Sequence, residues 1–169
     1  MPGSGRDERA WVRGAQGGSA SDLEALFRAY WPRAFRAAYL VAHDAAAAED
    51  IAQEAFLAAT RSLDRFDRRR PFGPWLHRIV VNRAIDWSRA RALRAESELH
   101  EVAVDQPDRS DADRLAAAIA ELPEEQRAVI VLRHLLEYTP GEIADLLELP
   151  RGTVNSRLRR GLDALRDEL

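Results

Sequence analysis

The stretch from residue 151 to residue 160 has the composition of a surface that contacts nucleic acid. It holds four arginines and no acidic residue, and an asparagine and a serine lie between them. Arginine and asparagine side chains form paired hydrogen bonds that suit phosphate oxygens and the base edges in the major groove of DNA. The candidate residues are Arg151, Thr153, Asn155, Ser156, Arg157, Arg159 and Arg160.

These candidates would not all face the same way in a helix. Asn155, Ser156 and Arg159 advance by about one turn along one side, so they would face the floor of the groove. Arg157 lies partly round the helix and would face the DNA backbone, whereas Arg160 fits either role. The spacing therefore predicts base reading by the first three residues and backbone contact by Arg157.

The residues around this stretch supply the elements that would position it. Ile143, Ala144 and Leu147 recur at helical spacing, and Val154 and Leu158 give a second helix its inward side. A short helix, a tight turn and a basic helix form the order of a helix-turn-helix. The plainer alternative is an ordinary helical hairpin with a solvated basic face.

Charge is segregated along the chain, although the net charge is only −3. Residues 76–94 contain five arginines and one acid, whereas residues 95–112 contain six acids and one arginine. Residues 113–169 are acidic overall, with eleven acids and eight arginines. The basic stretch at 151–160 is therefore a stripe on an acidic module, as expected of a nucleic-acid-binding face.

Composition excludes several classes of site. The chain contains no cysteine, which rules out disulfides and thiolate metal sites, and its four histidines do not have ligand spacing. We find no nucleophile with a base, no paired carboxylates and no glycine-rich phosphate loop, so no catalytic, cofactor or metal residue is predicted. No apolar signal segment or membrane span of roughly 18 residues is present, which favours a cytoplasmic protein without membrane insertion.

Hydrophobic periodicity is helical along the chain, and 169 residues with 46% hydrophobic content suffice for two small domains. We predict an all-α fold with a flexible, glycine-rich lead at 1–20, a helical domain at 21–94, a flexible acidic linker at 95–112 and a helix-turn-helix domain at 113–169. Within the first domain, two prolines, a glycine and four arginines predict a loop at 65–74. A helix would then begin at Trp75.

Four motifs follow one another in a characteristic order. They are Ile51-Ala52-Gln53-Glu54-Ala55-Phe56, Phe72-Gly73-Pro74-Trp75-Leu76-His77-Arg78-Ile79, Leu122-Pro123-Glu124-Glu125-Gln126-Arg127, and Glu142-Ile143-Ala144 followed by Gly152-Thr153-Val154-Asn155-Ser156-Arg157-Leu158. With these motifs the chain resembles a bacterial sigma factor of the sigma-70 family, and more narrowly the extracytoplasmic-function (ECF) group. The resemblance extends from about Asp22 to Leu165. It implies a transcription initiation factor that binds core RNA polymerase and recognises the −10 and −35 promoter elements.

The resemblance assigns two surfaces to the first domain, which corresponds to sigma-70 region 2. The polar side chains Glu49, Asp50, Gln53 and Glu54 would contact the coiled coil of the largest polymerase subunit. The loop and the helix after it would contact −10 DNA through Arg68, Arg69, Arg70, Phe72, Asn82 and Arg83. Arginines and aromatic rings near a loop suit a single strand with a flipped base. The plainer alternative is that Phe72 and Trp75 pack under the loop, and core packing is the expected role of Trp75.

The resemblance also assigns partners to the rest of the chain. The second domain corresponds to region 4, which would bind −35 DNA and the flap of the second-largest polymerase subunit. The acidic linker would occupy the path of nascent RNA, and an anti-sigma factor is implied as an inhibitor. The alternative function is a helix-turn-helix regulator that does not act as a polymerase subunit, but this would leave the loop and the polar face near residue 50 without a role.

Overall fold

In the computed structural model, residues 5–97 and 110–168 are described and contain helices but no strand. Eight α-helices lie in these ranges: α1 (Gly5–Gln16), α2 (Ala20–Ala42), α3 (Ala45–Ser62), α4 (Phe72–Ser97), α5 (Asp111–Glu121), α6 (Glu124–Ile130), α7 (Pro140–Leu147) and α8 (Arg151–Glu168). A 3₁₀ turn (Leu63–Arg65) follows α3, and a π-helical turn (Val131–Leu135) follows α6. The predicted all-α fold of two helical modules is confirmed.

The first module is built around α2, which packs against α1, α3 and α4. Small side chains line these contacts: Ala34, Ala37, Ala38, Ala48, Ala55 and Ala84 are fully buried. Because alanine has no side chain beyond Cβ, neighbouring helices can approach closely. Larger side chains such as Leu26, Leu76 and Val80 fill the remaining space, and each is at most 1% exposed.

The N-terminal segment differs from the predicted flexible lead, because residues 5–16 form α1. Its Val12 is 2% exposed and belongs to the core, and Trp11 and Ala15 pack against that core. One of the glycines that suggested flexibility has a packing role, since a Cβ atom on Gly14 would lie only 1.8 Å from the Asp22 carboxylate. A glycine therefore lets α1 approach α2.

The predicted loop at 65–74 is shorter in the structure. The 3₁₀ turn extends to Arg65, and α4 begins at Phe72 rather than at Trp75. Pro74 is tolerated inside α4 because the N–H groups of the first helical turn have no acceptor within the helix. The connecting loop is therefore residues 66–71, and it is called the connecting loop below.

The second module contains α5 to α8 around Val129, Leu132, Ile143 and Val154, none of which is measurably exposed. Pro123 follows the end of α5 and immediately precedes α6, because a proline cannot continue a helix interior. A capping box begins α7: the Thr139 hydroxyl accepts the Glu142 N–H, and the Glu142 carboxylate accepts the Thr139 N–H at 2.7 Å. These caps fix where the helix-turn-helix begins.

The segment between the modules is only partly described. The predicted linker at 95–112 lies mainly in residues 98–109, outside the described ranges. Its described ends are helical, because α4 continues to Ser97 and a capping box formed by Ser110 and Asp113 begins α5. This corrects the predicted linker at both ends.

The two modules pack against each other and share one continuous apolar core. Helices α2 and α4 of the first module contact α5, α6, α7 and the π-helical turn of the second. None of the described helices combines the length and apolarity needed to cross a membrane. Because of this contact, the outer side of α4, which faces away from the core of the first module, lies against the second module.

Candidate nucleic-acid interface

Helix α8 has one apolar side and one basic side. Val154, Leu158 and Leu165 are buried against the rest of the second module. The predicted contacts Arg151, Asn155, Arg159 and Arg160 are exposed, and Thr153 and Ser156 are half-buried. This division follows from helical periodicity, because the buried residues recur at spacings of four and seven. The basic side can therefore reach a groove without disturbing the core.

Arg157 does not share this exposed side. Its guanidinium lies 2.6 Å from the Glu125 carboxylate of α6, and its side chain is only 22% exposed. Arg157 precedes the buried Leu158 in the sequence, and its side chain lies at the edge of the side of α8 that packs against the second module. The structure therefore gives Arg157 a partner inside the protein, which the sequence did not predict.

The connecting loop is basic and partly ordered by its own side chains. Arg68, Arg69 and Arg70 are exposed, which their predicted contact with DNA requires. The Asp67 carboxylate accepts hydrogen bonds from the Arg69 backbone N–H and guanidinium, each between 3.0 and 3.2 Å. These hydrogen bonds lower the pKa of Asp67 to about 2. Asp67 therefore holds Arg69 in one orientation.

Phe72 is not available to stack on a base, which corrects its predicted role. It is 3% exposed, and its ring packs edge-on against Tyr30, Phe66 and Trp75. Phe72 is the first residue of α4, and its side chain faces the core of the first module. Trp75 is half-buried, and its ring centroid lies 4.7 Å from that of Phe66. Its predicted packing role is consistent with this contact.

A cavity of about 470 Å³ lies between the connecting loop and α7. Its lining on the loop side includes Arg65, Arg70 and Arg78 together with Trp75. The opposite wall includes Glu142 and Asp145 of α7. The cavity is therefore basic and aromatic on one side and acidic on the other.

The outer side of α4 is basic and forms ion pairs. The guanidinium of Arg78 lies 2.7 Å from Glu148, and that of Arg89 lies 2.7 Å from Glu125. Arg89 also lies 3.4 Å from Glu124. All three carboxylates belong to the second module, so they partly neutralise the basic side of α4. Glu125 links the two modules through its ion pair with Arg89, and within the second module it also pairs with Arg157.

The other predicted contacts on α4 lie beside these pairs. Asn82 is exposed and lines a small cavity with Arg89, Glu125 and Arg157. Arg83 is half-buried and its guanidinium lies 3.1 Å from Glu54 of α3. Asn82 and Arg83 therefore lie on one helix but face different neighbours.

A buried polar contact lies between the modules. His77 Nδ1 and the Tyr138 hydroxyl are 2.7 Å apart, and His77 is 4% exposed. Burial, together with the nearby charge of Arg33, lowers the pKa of His77 to about 4. His77 is therefore neutral near pH 7, and its Nδ1 and the Tyr138 hydroxyl share one hydrogen bond.

The predicted polar face on α3 is present. Glu49, Asp50, Gln53 and Glu54 are all exposed, and Gln53 donates a hydrogen bond to Glu49 at 3.3 Å. The opposite side of α3 contributes Ile51, Ala52 and Phe56 to the core. The helix therefore presents carboxylates to solvent while its apolar side holds it in the module.

An apolar groove beside this face was not predicted. Leu57 is 54% exposed and Phe27 is 39% exposed, and both line a groove of about 270 Å³ with Gln53 and Thr60. The signal in the sequence was Leu57, which follows Gln53 at a spacing of four and would share its exposed side.

Two family models match the chain in order. Sigma-70 region 2 matches residues 26–94, and Sigma-70, region 4 matches residues 112–165. The ECF RNA polymerase sigma factor SigW of Bacillus subtilis is 34% identical, in an alignment covering 83% of this chain and 84% of the relative. The RNA polymerase sigma-E factor of Streptomyces coelicolor is 31% identical, with 90% and 88% covered.

Solved structures show the same architecture. CnrH, solved in complex with the cytosolic domain of CnrY, superposes with a TM-score of 0.74 at 28% identity, covering 95% of this chain and 96% of that chain. The sigma factor RpoE of Bartonella quintana, solved in complex with the anti-sigma factor NepR, shares the fold with a TM-score of 0.73 at 21% identity, covering 88% and 97%.

Proposed function

The chain belongs to the extracytoplasmic-function group of the sigma-70 family and is an RNA polymerase sigma factor, and we propose that its surfaces divide polymerase binding from promoter reading. The order of the two family models, region 2 before region 4, carries the functional conclusion. A regulator that does not act as a polymerase subunit would have no use for region 2. We assign region 2 to residues 21–94 and region 4 to residues 113–169.

The proposed polymerase-binding surface is the carboxylate face of α3, formed by Glu49, Asp50, Gln53 and Glu54. Its support is that four polar residues are exposed on a helix whose other side is buried in the core. The adjacent groove with Leu57 and Phe27 adds apolar area that a partner helix could cover. Charge would orient a basic partner helix here, and apolar contact would increase the affinity. The flap of the second-largest subunit is the proposed contact of region 4.

The proposed −10 surface is the connecting loop together with the outer side of α4. The exposed arginines at 68–70 can neutralise a phosphate backbone, and the cavity beside Trp75 has room for an unstacked base. Asn82 can read a base edge, and Arg83 can hold a phosphate once it leaves Glu54. In this proposal the connecting loop captures the melted strand, and α4 contacts DNA along its own length.

The proposed −35 surface is the exposed side of α8. Asn155 and Arg159 lie one turn apart and are exposed, which suits two neighbouring base edges in the major groove. Arg151 and Arg160 are exposed at either end and can contact phosphates. We assign base reading to Asn155, Ser156 and Arg159, as the spacing predicts.

The arrangement of the modules adds a condition for promoter binding. Arg78 and Arg89 are paired with carboxylates of region 4, so this face must be released before α4 contacts DNA. Ion pairs between exposed side chains are weak, each contributing about 0.2–1 kcal/mol. The apolar core that the modules share therefore holds them together more than these pairs do, and binding to polymerase and promoter has to offset the loss of both.

An anti-sigma factor is the proposed inhibitory partner. The support is that the sigma factor RpoE was solved with the anti-sigma factor NepR, and that CnrH was solved with CnrY. A partner that holds the modules together would keep the α4 face neutralised. Addition of a purified inhibitor should slow digestion between the modules by protease, whereas a partner that competes only for −35 DNA would not.

Charge reversal on α3 tests the assignment of the polymerase-binding surface. Asp50→Arg with Glu54→Arg should weaken binding to core polymerase by several kcal/mol, roughly 3 or more, through repulsion by the basic partner. Helicity should not change, because both side chains are exposed. Glu121→Arg, on an exposed position of α5, is the control. Wild-type competition for core polymerase by the double variant would show that the face is wrongly assigned.

In vitro transcription tests the whole proposal. The chain should direct core polymerase to a specific set of sequences in a randomised promoter library, with separate conserved blocks near −35 and −10. Truncation to region 4 alone should leave the library untranscribed. Transcription without a −10 block would contradict the role given to the connecting loop.

A further inference from the structure

Helix α1 contacts both ends of the connecting loop. At one end, Glu8 accepts a hydrogen bond from the Phe72 N–H at 2.9 Å, and its other carboxylate oxygen accepts one from the Tyr30 hydroxyl. At the other end, the Gln16 side-chain amide donates to the Leu63 carbonyl at 2.8 Å and to the Phe66 carbonyl at 3.0 Å. Two side chains of one helix therefore hold the points where the loop begins and ends.

The spacing of these residues suits this arrangement. Glu8, Val12 and Gln16 are four residues apart, so they lie on one side of α1 over roughly 12 Å. Val12, in the middle, is 2% exposed and anchors the helix in the core. The two polar side chains can thus reach opposite ends of the loop from a fixed base.

Two of these hydrogen bonds, those to the Phe72 N–H and the Phe66 carbonyl, also satisfy backbone groups that the local structure leaves without a partner. Phe72 begins α4, where an N–H has no acceptor within the helix and a carboxylate is favoured by the helix dipole. Phe66 has extended backbone, so its carbonyl has left the 3₁₀ turn. Glu8 and Gln16 therefore supply acceptor and donor at positions that define the loop geometry.

The aromatic rings of Tyr30 and Phe72 beneath the loop are also held in place by α1. Tyr30 packs edge-on against Phe72, and a Cβ atom on Gly73 would lie 3.1 Å from the Tyr30 ring. Because Tyr30 donates to Glu8, its ring cannot move without breaking that hydrogen bond. The start of α4 therefore rests on a ring that α1 holds in place.

We propose that α1 is a positioning element for −10 recognition, with Glu8 and Gln16 fixing the connecting loop in the conformation that captures the melted strand. This inference rests on the proposed role of the loop. A loop already held in its bound conformation loses less conformational freedom on binding, so removing either residue should weaken strand binding. Neither residue needs to touch DNA.

The test uses holoenzyme reconstituted from core polymerase and the full chain. Gln16→Leu keeps the approximate size of the side chain but removes both donated hydrogen bonds, and Glu8→Ala removes the acceptor. Each variant should lower affinity for a fluorescent single-stranded −10 oligonucleotide about tenfold. Binding of a −35 duplex and affinity for core polymerase should stay within about twofold of wild type.

Matched variants separate positioning from general stability. Ala10→Gln lies at an exposed position of α1 and should behave as wild type in every assay. Glu8→Gln keeps an oxygen that can accept the Phe72 N–H, so its strand affinity should lie between those of Glu8→Ala and wild type. If Glu8→Ala does not fold, Gln16→Leu and Glu8→Gln still decide the question.

The outcomes distinguish this inference from the proposed function. If Arg68→Ala with Arg70→Ala weakens strand binding but Gln16→Leu and Glu8→Gln do not, the positioning role is wrong and the loop assignment stands. If the arginine variants have no effect, both proposals are wrong. Equal losses in strand binding, −35 binding and core affinity would show that α1 only stabilises the fold and would overturn the inference.

Discussion

The outer side of α4 and the outer side of α8 are both basic, but their arginines have different neighbours. On α4, Arg78, Arg83 and Arg89 each form an ion pair. On α8, Arg159 and Arg160 are exposed and form no ion pair within the described residues. The proposed −35 surface is thus exposed, whereas the α4 part of the proposed −10 surface is partly neutralised by the protein itself.

This difference follows from the charge pattern and the packing together. Region 4 is acidic apart from the stripe on α8, and its acidic side lies against the basic residues 76–94 of region 2. The arginines of α4 can pair with carboxylates of region 4 or contact DNA, but they cannot do both at once. Release of α4 is therefore coupled to separation of the modules.

The largest expected effect is a loss of folding stability at low pH, which comes from His77 between the two modules. Because the pKa of His77 is about 4 in the folded chain and about 6.5 in the unfolded chain, the folded chain binds this proton less readily. Stability should be highest above about pH 6.5 and fall toward pH 4, by up to roughly 1.4 kcal/mol per pH unit and about 3 kcal/mol in total.

Urea unfolding between pH 4 and 7 measures this dependence. His77→Asn can keep a hydrogen bond to Tyr138 without titrating, so its profile should be flatter by about one proton. The groups that face His77 are Tyr30, Tyr138 and Arg33. His134→Gln, at an exposed position, is the control. An unchanged slope in His77→Asn would mean that the interface is open in solution.

Arg159→Ala tests the open surface of α8. Loss of one base contact should weaken promoter binding by about 1–3 kcal/mol and relax preference at one position of the −35 element. Selection of −35 sequences from a random pool measures both effects. Arg166→Ala, on an exposed position further along α8, should keep the wild-type preference. A loss that is equal on all sequences would assign Arg159 to the backbone.

Arg157→Ala should behave differently from its neighbour on α8. Its guanidinium is paired with Glu125 and mostly covered, so its removal should lower the stability of region 4 by about 1 kcal/mol. Thermal unfolding measures this loss. The preferred −35 sequence should not change, and a shift in that sequence would show that Arg157 leaves Glu125 to read a base.

Glu148→Gln should produce the smallest effect, and its sign is informative. The substitution removes the charge that faces Arg78 across the modules, in a pair whose side chains are 44% and 72% exposed. Binding of holoenzyme to a −10 strand should therefore strengthen by about 0.2–1 kcal/mol. Asp167→Asn, in the last turn of α8, is the control for net charge. Weaker binding would contradict the neutralised state of α4.

The sequence by itself determined the helical modules, the helix-turn-helix and the family. Helical periodicity identified the buried sides of α3 and α8, because core residues must recur once per turn. The exposed candidates on these two helices follow directly, because one helix has only one outer side.

Only the tertiary structure decided which candidates have partners. Phe72 lies in the core and Arg157 is paired with Glu125, and both outcomes depend on residues distant in sequence. At residues 5–16 the glycine-rich composition suggested a flexible lead with at most a fragment of helix near Arg9, whereas Gly14 lets the whole helix pack against α2. Local spacing fixes the side of a helix on which a residue lies, but contacts with distant residues determine whether that side faces solvent, a core or a carboxylate.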